Sequence, residues 1–307
     1  MKDMAIVTPS YRPDLEGFRR LHQSVLDCTD ETVMHHVIVP GIDAELFRET
    51  GPPRLTVWTY QEVMPPGLVA TDRLASRMGR VPGLPSSMNC AAVERRRPWR
   101  PVRGWVLQQL VKMGLTHRVD ARLLLNIDSD AVLVRPVTTR DFVREGVVRL
   151  YGVEEAITPA MKRHYRWCQV AHELLGLPWT GRPSYPDHVG GVVSWDAELL
   201  RQCLARVELV TGQPWAVAAS RHLQFSEDIL YGTYVRHFGS ERDTSFQRDH
   251  TRCHSYWSPT PMDRDDAAAF VDGFEDHHLA VHIQSNSDTD AAVEARVLDQ
   301  LKGMALQ

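Results

Sequence analysis

Short apolar runs alternate along this chain with segments whose apolar residues recur at helical spacing, and this alternation restricts the fold more than any other feature. In "MAIVTPSYRPD", Ala5 to Thr8 forms a strand-like run that stops at Pro9, where a backbone donor is lost. The next segment, "LEGFRRLHQSVLD", places Leu15, Phe18, Leu21, Val25 and Leu26 at helical intervals. Further strands are predicted at Val37–Val39, Leu55–Tyr60, Arg122–Ile127, in "HVGGVVSW" and in "HLAVHIQS". Helices are predicted over Gly104–Leu115, near "PAMKRHYRWCQVAHELLG", and in "DAELLRQCLARVELV" and "SEDILYGTYVRHFG". Strands alternating with helices predict an α/β fold, a mostly parallel mixed sheet flanked by helices. There is no internal repeat or clean boundary, so residues 1–307 are expected to form a single domain with long insertions, the longest an irregular excursion at about 51–103.

Charge and cysteine usage narrow the function. Lys+Arg 35 against Asp+Glu 39 leaves a net charge of −4, so no global field holds a polyanion, and nucleic acid is excluded as an expected partner. The cysteines, Cys28, Cys90, Cys168, Cys203 and Cys253, are odd in number, dispersed and without a close pair. That usage suits a reducing compartment and neither a disulfide framework nor a structural zinc site. The first strand begins at Met4 without room for a signal peptide, and no apolar stretch reaches membrane-span length. The expectation is a cytoplasmic protein with no integral membrane segment.

One stretch, "LLLNIDSDAVLVRP", interrupts an apolar pattern with two carboxylates, Asp128 and Asp130, before an apolar run resumes. In extended chain, residues two apart point to the same side. Two carboxylates at a strand end suit a hard cation, Mn²⁺ or Mg²⁺, which relieves their repulsion and takes its other ligands from water and phosphate. The competing explanation is an ordinary turn, where aspartate is common.

Four motifs in order across residues 1–284 carry a family likeness: Asp128-Ser129-Asp130; "HVGGVVSWD" with Gly190 and Gly191; "SED" at Ser226-Glu227-Asp228; and "AVHIQS" with His282. Together they resemble the GT-A-fold nucleotide-sugar glycosyltransferases, and "GWVLQQLVK" before the Asp-x-Asp strand is similar to a bacterial subgroup of unknown substrate. The resemblance implies a GT-A-like, Rossmann-like fold with a nucleotide-binding half over 1–130 and an acceptor-side half over 131–307. It implies that Asp128, Ser129 and Asp130 meet metal and diphosphate, and that His282 adds a metal ligand. It also implies that Gly190 and Gly191 belong to an acceptor-side loop, and that Asp228, or second Glu227, is the catalytic base of an inverting reaction.

Each residue also has a plainer role open to it. Glu227 and Asp228 suit the first turn of a helix capped by Ser226. His282 alternates with Val281 and Ile283 and can be core filler. Gly190 and Gly191 within a β-branched strand mark a close approach of ligand or backbone, or a bulge. His188, after Asp187, lies where it can touch sugar or acceptor. Thr8, Ser10, Tyr11 and Arg12 follow the first strand, where Tyr11 can stack on a base and the hydroxyls can bond it, or where the chain simply turns. Gln109 and Lys112 share a helix face and can meet a sugar hydroxyl and a phosphate, or form a solvated face. The run "ERRRPWRPVR" either neutralises a phosphorylated ligand or is solvated. Trp179 and Tyr185 are an acceptor platform in a loop, and His277 and His278 an exposed turn.

The expected function is a metal-dependent glycosyltransferase, hexosyl or related. It moves a sugar from a nucleotide-diphosphate donor to the hydroxyl of a carbohydrate, lipid-linked or small-molecule acceptor. The alternatives are a metal-dependent nucleotide-sugar or phosphoester hydrolase using the same carboxylates, and a non-catalytic nucleotide- or carbohydrate-binding protein of the same fold.

Overall fold

A computed structural model describes residues 2–50, 53–71 and 90–305. Five strands form the central sheet: β1 (Lys2–Pro9), β2 (Met34–Val39), β3 (Leu55–Thr59), β4 (Ala121–Ile127) and β5 (Val192–Asp196). Their spatial order is β5-β4-β1-β2-β3. β1 to β4 run parallel and β5 is antiparallel to β4. Ala5 and Val7 join one buried cluster while Met4 and Ile6 join another, so β1 delivers alternate residues to the two faces. Both faces are covered, which is why Leu123, Leu124 and Leu125 can follow one another in β4 with no exposure. The expected α/β class, a mostly parallel mixed sheet between helices, is the observed one.

Helix α1 (Leu15–Cys28) covers one face through Leu21 and Val25, and α2 (Gly104–Leu115) covers the other through Val106, Leu107, Leu110 and Val111. Three more helices frame the β5 side: α3 (Lys162–Leu175), α4 (Ala197–Thr211) and α5 (Glu227–Phe238). Their ends follow local chemistry. The Asp196 carboxylate accepts the backbone N–H groups of Glu198 and Leu199 to start α4, and the Ser226 hydroxyl accepts that of Ile229 to start α5. Gly176, at φ 70°, closes α3 in a left-handed turn that a side chain would strain.

A satellite sheet matters for the site. The strand Ala131–Leu133 pairs antiparallel with Ala280–Ile283, placing His282 opposite Ala131, and Ala280–Ile283 pairs in parallel with Cys253–Tyr256. Within the excursion over 51–103, the described residues include β3, the helix Tyr60–Val63 and a three-stranded antiparallel sheet of 68–70, 90–94 and 97–103. Residues 51–52 and 72–89 lie outside the described residues. The basic run becomes an edge strand of that small sheet, with six of seven side chains exposed over Arg97–Arg103, a solvated surface. Among the described residues Cys28, Cys168, Cys203 and Cys253 are free thiols, and no helix is long and apolar enough to cross a membrane.

Candidate active site

The carboxyl ends of β1 and β4 open onto a cleft, the usual ligand position in sheets of this type. At the end of β4 the chain turns through Asp128, Ser129 and Asp130 and at once enters the satellite strand at Ala131. The Asp130 Oδ2 accepts the Ser285 backbone N–H at 2.9 Å, and its Oδ1 faces His282 Nε2 at 3.2 Å. Burial raises the Asp130 pKa, but the His282 bond and charge and the Ser285 N–H outweigh it and leave the group below the usual carboxylate range. For His282, burial lowers the pKa and Asp130 more than reverses this. Two ligands at right angles on one small octahedral cation, each at ~2.1 Å, stand about 3.0 Å apart. The pair is therefore spaced to share such an ion.

Asp128 turns the other way, its carboxylate 4.0 Å from Lys112 Nζ. Lys112, on α2, also forms a close ion pair with Glu227 at the first position of α5. Burial opposes the Lys112 charge, yet Glu227, Asp128 and Asp228 together raise its pKa. The Gln109 Oε1 accepts the Glu227 backbone N–H at 3.1 Å. One face of α2 thus holds the start of α5 against the sheet. Asp228 is 7% exposed, and its Oδ1 accepts the Trp195 indole N–H at 3.2 Å. Burial, then the Glu227 and Asp128 charges, hold the Asp228 carboxyl well above the usual range.

Asp128, Asp130, Glu227 and Asp228 together face one lysine and one titratable histidine. Glu227 and Asp228 are buried while Asp128 and Asp130 are partly exposed, and an acidic excess of this kind suits a cation. Among the described residues no three His, Cys, Asp or Glu side chains converge on a metal position. The fitting donor set is the Asp130–His282 pair, with water and ligand oxygens completing the shell as Mg²⁺ and Mn²⁺ allow.

The remaining predicted residues divide. Tyr11 is 41% exposed, and burial and the Asp14 and Asp130 charges raise its pKa, so it borders the same cleft. Thr8 is fully buried and committed: its hydroxyl donates to the Ile127 carbonyl at 2.7 Å and contacts His35 Nε2 at 2.9 Å. Ser10 is buried with its hydroxyl unpartnered. The Arg12 guanidinium and backbone N–H bind Asp43, and Ser129 donates to Asp14 at 3.3 Å. Asp14, Gly17, Ser129, Asp130 and Ser285 line a pocket of about 240 Å³ on the α1 side of Asp130.

Several expectations are corrected. Gly190 and Gly191 precede β5, which starts at Val192. A Cβ on Gly191 would meet Cys253 Sγ at 2.8 Å, so the close approach is to the neighbouring strand, while a Cβ on Gly190 would be in ordinary contact. His188 lies 2% exposed beneath α5, its Nδ1 2.7 Å from the Tyr151 carbonyl, and does not reach the cleft. Trp179 and Tyr185 stack on each other at 4.7 Å and 9° and Tyr185 is buried, so the expected platform is closed on itself. His278 is buried as well, since its Nδ1 accepts the Glu275 N–H inside an aromatic cluster.

Two tryptophans complete the site. Trp195 anchors Asp228, and Trp257, 51% exposed, lies 4.4 Å from the His282 ring and is positioned through Gln284, which donates to its carbonyl at 2.8 Å. Both belong to a set of aromatics with no repeating interval, so periodicity offered no signal for either.

Fold and site together define an α/β protein with an acidic cleft at the carboxyl end of its mostly parallel sheet. The chain belongs to the family described as a family of unknown function, DUF6492, whose model matches residues 8–305. No curated protein matches it. Among solved structures it is similar to mouse xyloside xylosyltransferase 1 in its apo form, at 13% identity over 93% of this chain and 99% of that one, TM-score 0.46. It is also similar to the galactosyltransferase LgtC in complex with donor and acceptor sugar analogs, at 12% identity over 98% of this chain and 96% of that one, TM-score 0.44.

Proposed function

We propose that this chain is a GT-A-like, metal-dependent glycosyltransferase that moves a sugar from a nucleoside-diphosphate donor to an acceptor hydroxyl. The observation that carries the reading is the contact between Asp130 and His282, at 3.2 Å, beside a group of carboxylates that a single lysine leaves uncompensated. Asp130 and His282 would hold Mn²⁺ or Mg²⁺. Bound there, the ion supplies positive charge beside the donor diphosphate.

The rest is the work of the chain's own side chains. Tyr11, within the field of Asp130, and Trp257, against the His282 ring, are exposed aromatic faces, suited to the rings of the donor. Lys112, fixed by Glu227, presents its charge towards Asp128 and the leaving diphosphate. Asp228 takes the proton of the acceptor hydroxyl, the acceptor oxygen bonds to the anomeric carbon, and the bond from that carbon to the diphosphate oxygen breaks. Inversion follows from attack opposite the leaving group. Asp228 is the first choice for this role, and Glu227, engaged by Lys112, is the second.

The test is a thermal-shift screen of UDP, GDP, CMP and dTDP, each with and without Mn²⁺. Stabilisation by one nucleotide that needs Mn²⁺ supports the donor site and identifies the base. Folded protein with no response to any nucleotide overturns the reading. Sugar release from a donor with no dependence on acceptor assigns the same site to a hydrolase.

A further inference from the structure

Helix α3 begins with the wrong charge for its dipole. Its first turn contains Lys162, Arg163 and His164 and no acidic residue, and Met161 at the N-cap supplies no side-chain acceptor. Cations at a helix N-terminus face its partial positive charge, and the free N–H groups there suit an anion.

Arg163 is not simply solvated at this end. Its guanidinium lies over two indoles, 4.6 Å from the Trp105 ring centre and 5.1 Å from that of Trp167. The indoles stack at 5.6 Å and 24°, and the His164 ring lies 4.4 Å from that of Trp167. Among the described residues Arg163 has ring contacts and no carboxylate partner. Stacking fixes the plane of a guanidinium and leaves its in-plane N–H fork open to a carboxylate or phosphate. Trp167 is 6% exposed with its indole N–H buried and without an acceptor, while Trp105 is 37% exposed. The cluster thus has a partly exposed ring surface in Trp105 and a cation held against it.

Its place relative to the acids follows from α2. Trp105, Gln109 and Lys112 lie four and three residues apart on one face of that helix, and the lower two hold Glu227. Seven residues of rise set Trp105 about 10 Å from Lys112 along this face. The direction is outward, because α2 feeds β4 and so starts on the carboxyl side of the sheet.

The geometry points to an acceptor subsite here for a saccharide bearing an oxyanion, a carboxylate or a phosphate. The sugar ring lies on Trp105 and the oxyanion is held by Arg163 at the start of α3. The inference rests on the transferase reading and adds an acceptor class to it.

The test is calorimetric titration of the full chain with glucuronate, glucose 6-phosphate and glucose at one ionic strength, on wild type, Arg163→Gln and Trp105→Leu, with melting curves to verify folding. Either or both anionic sugars should bind at least about tenfold more tightly than glucose, the gain of a charge-assisted pair, and the tighter of the two identifies the oxyanion. Arg163→Gln should erase that preference, bringing the three sugars to equal affinity, and Trp105→Leu should weaken all three. Equal binding of the three sugars by wild type, or a preference retained in Arg163→Gln, overturns the subsite. The nucleotide screen separates the two readings. Nucleotide binding without anion preference leaves the transferase and removes the subsite; anion preference without nucleotide binding leaves a site for anionic sugars and overturns its role as an acceptor subsite.

Discussion

The Nε2 of His282 faces Oδ1 of Asp130 at 3.2 Å, and strand pairing, not sequence proximity, makes this contact. His282 is registered against Ala131, the residue after Asp130, so the satellite sheet carries a late histidine to the end of β4. The Ser285 N–H then fixes the other carboxylate oxygen. A pair built this way is held in place by strand register and by backbone, not by side-chain contacts alone.

Asp130→Ala and His282→Ala should therefore each remove Mn²⁺-dependent stabilisation by nucleotide while the protein stays folded. At a hundredfold excess over Kd the wild type should gain about 2.7 kcal/mol, or about 5 °C in Tm, and both variants should gain almost nothing. An undiminished shift in Asp130→Ala would place the ion elsewhere.

Asp228→Asn keeps an oxygen for the Trp195 indole N–H but cannot accept the acceptor's proton. Transfer should fall by about 10²–10⁴, with the nucleotide-induced shift retained. Assays of turnover and melting on one preparation decide this, and full transfer by the variant would move the base to Glu227 or to no protein group.

Lys112 is 8% exposed and paired with a buried Glu227. Lys112→Met should cost about 3–5 kcal/mol, because it leaves a buried charge without its partner. Adding Glu227→Gln should recover part of this, since the stranded charge is then gone. Denaturant melts of the single and double variants measure both. A loss under about 1 kcal/mol in the single variant would mean that the pair behaves as a solvated one.

The legible parts of the chain were those in which one helix or strand carries its own signal. The α2 boundaries at Gly104 and Leu115 and the run into Ile127 were readable because apolar spacing is a local property. Asp128 and Asp130 stood out for the same reason, as polar residues breaking an apolar pattern. What was not legible depends on register between distant segments. Gly190 and Gly191 look like strand residues beside Val192 and Val193, but Cys253 stands too close to Gly191 for any side chain there. Thr8 reads as a ligand hydroxyl at a strand end, whereas Ile127 and His35 engage it from neighbouring strands. Arg163 carries no local signal of its own, because only tertiary packing sets it over Trp105.

His188 gives a prediction with a pH axis. Its ring is enclosed by two glycines: a Cβ would come within 2.8 Å of it from Gly152 and 2.2 Å from Gly232. Burial pushes its pKa down to about 4, against the bond to Tyr151, and Nε2 has no partner. The unfolded chain binds this proton near pH 6.5 and the native state not until about pH 4. Stability from this site is therefore complete above pH 6.5 and is lost as the pH falls to about 4, amounting to about 3 kcal/mol over that window. His188→Asn should lower stability at neutral pH, through lost packing, and flatten its fall between pH 6.5 and 4 by about this amount. Denaturant melts at both pH values measure the difference, and an equal slope in wild type and variant would show that His188 titrates normally in the folded protein. Gly232→Ala should destabilise at every pH, because its methyl group meets the ring directly.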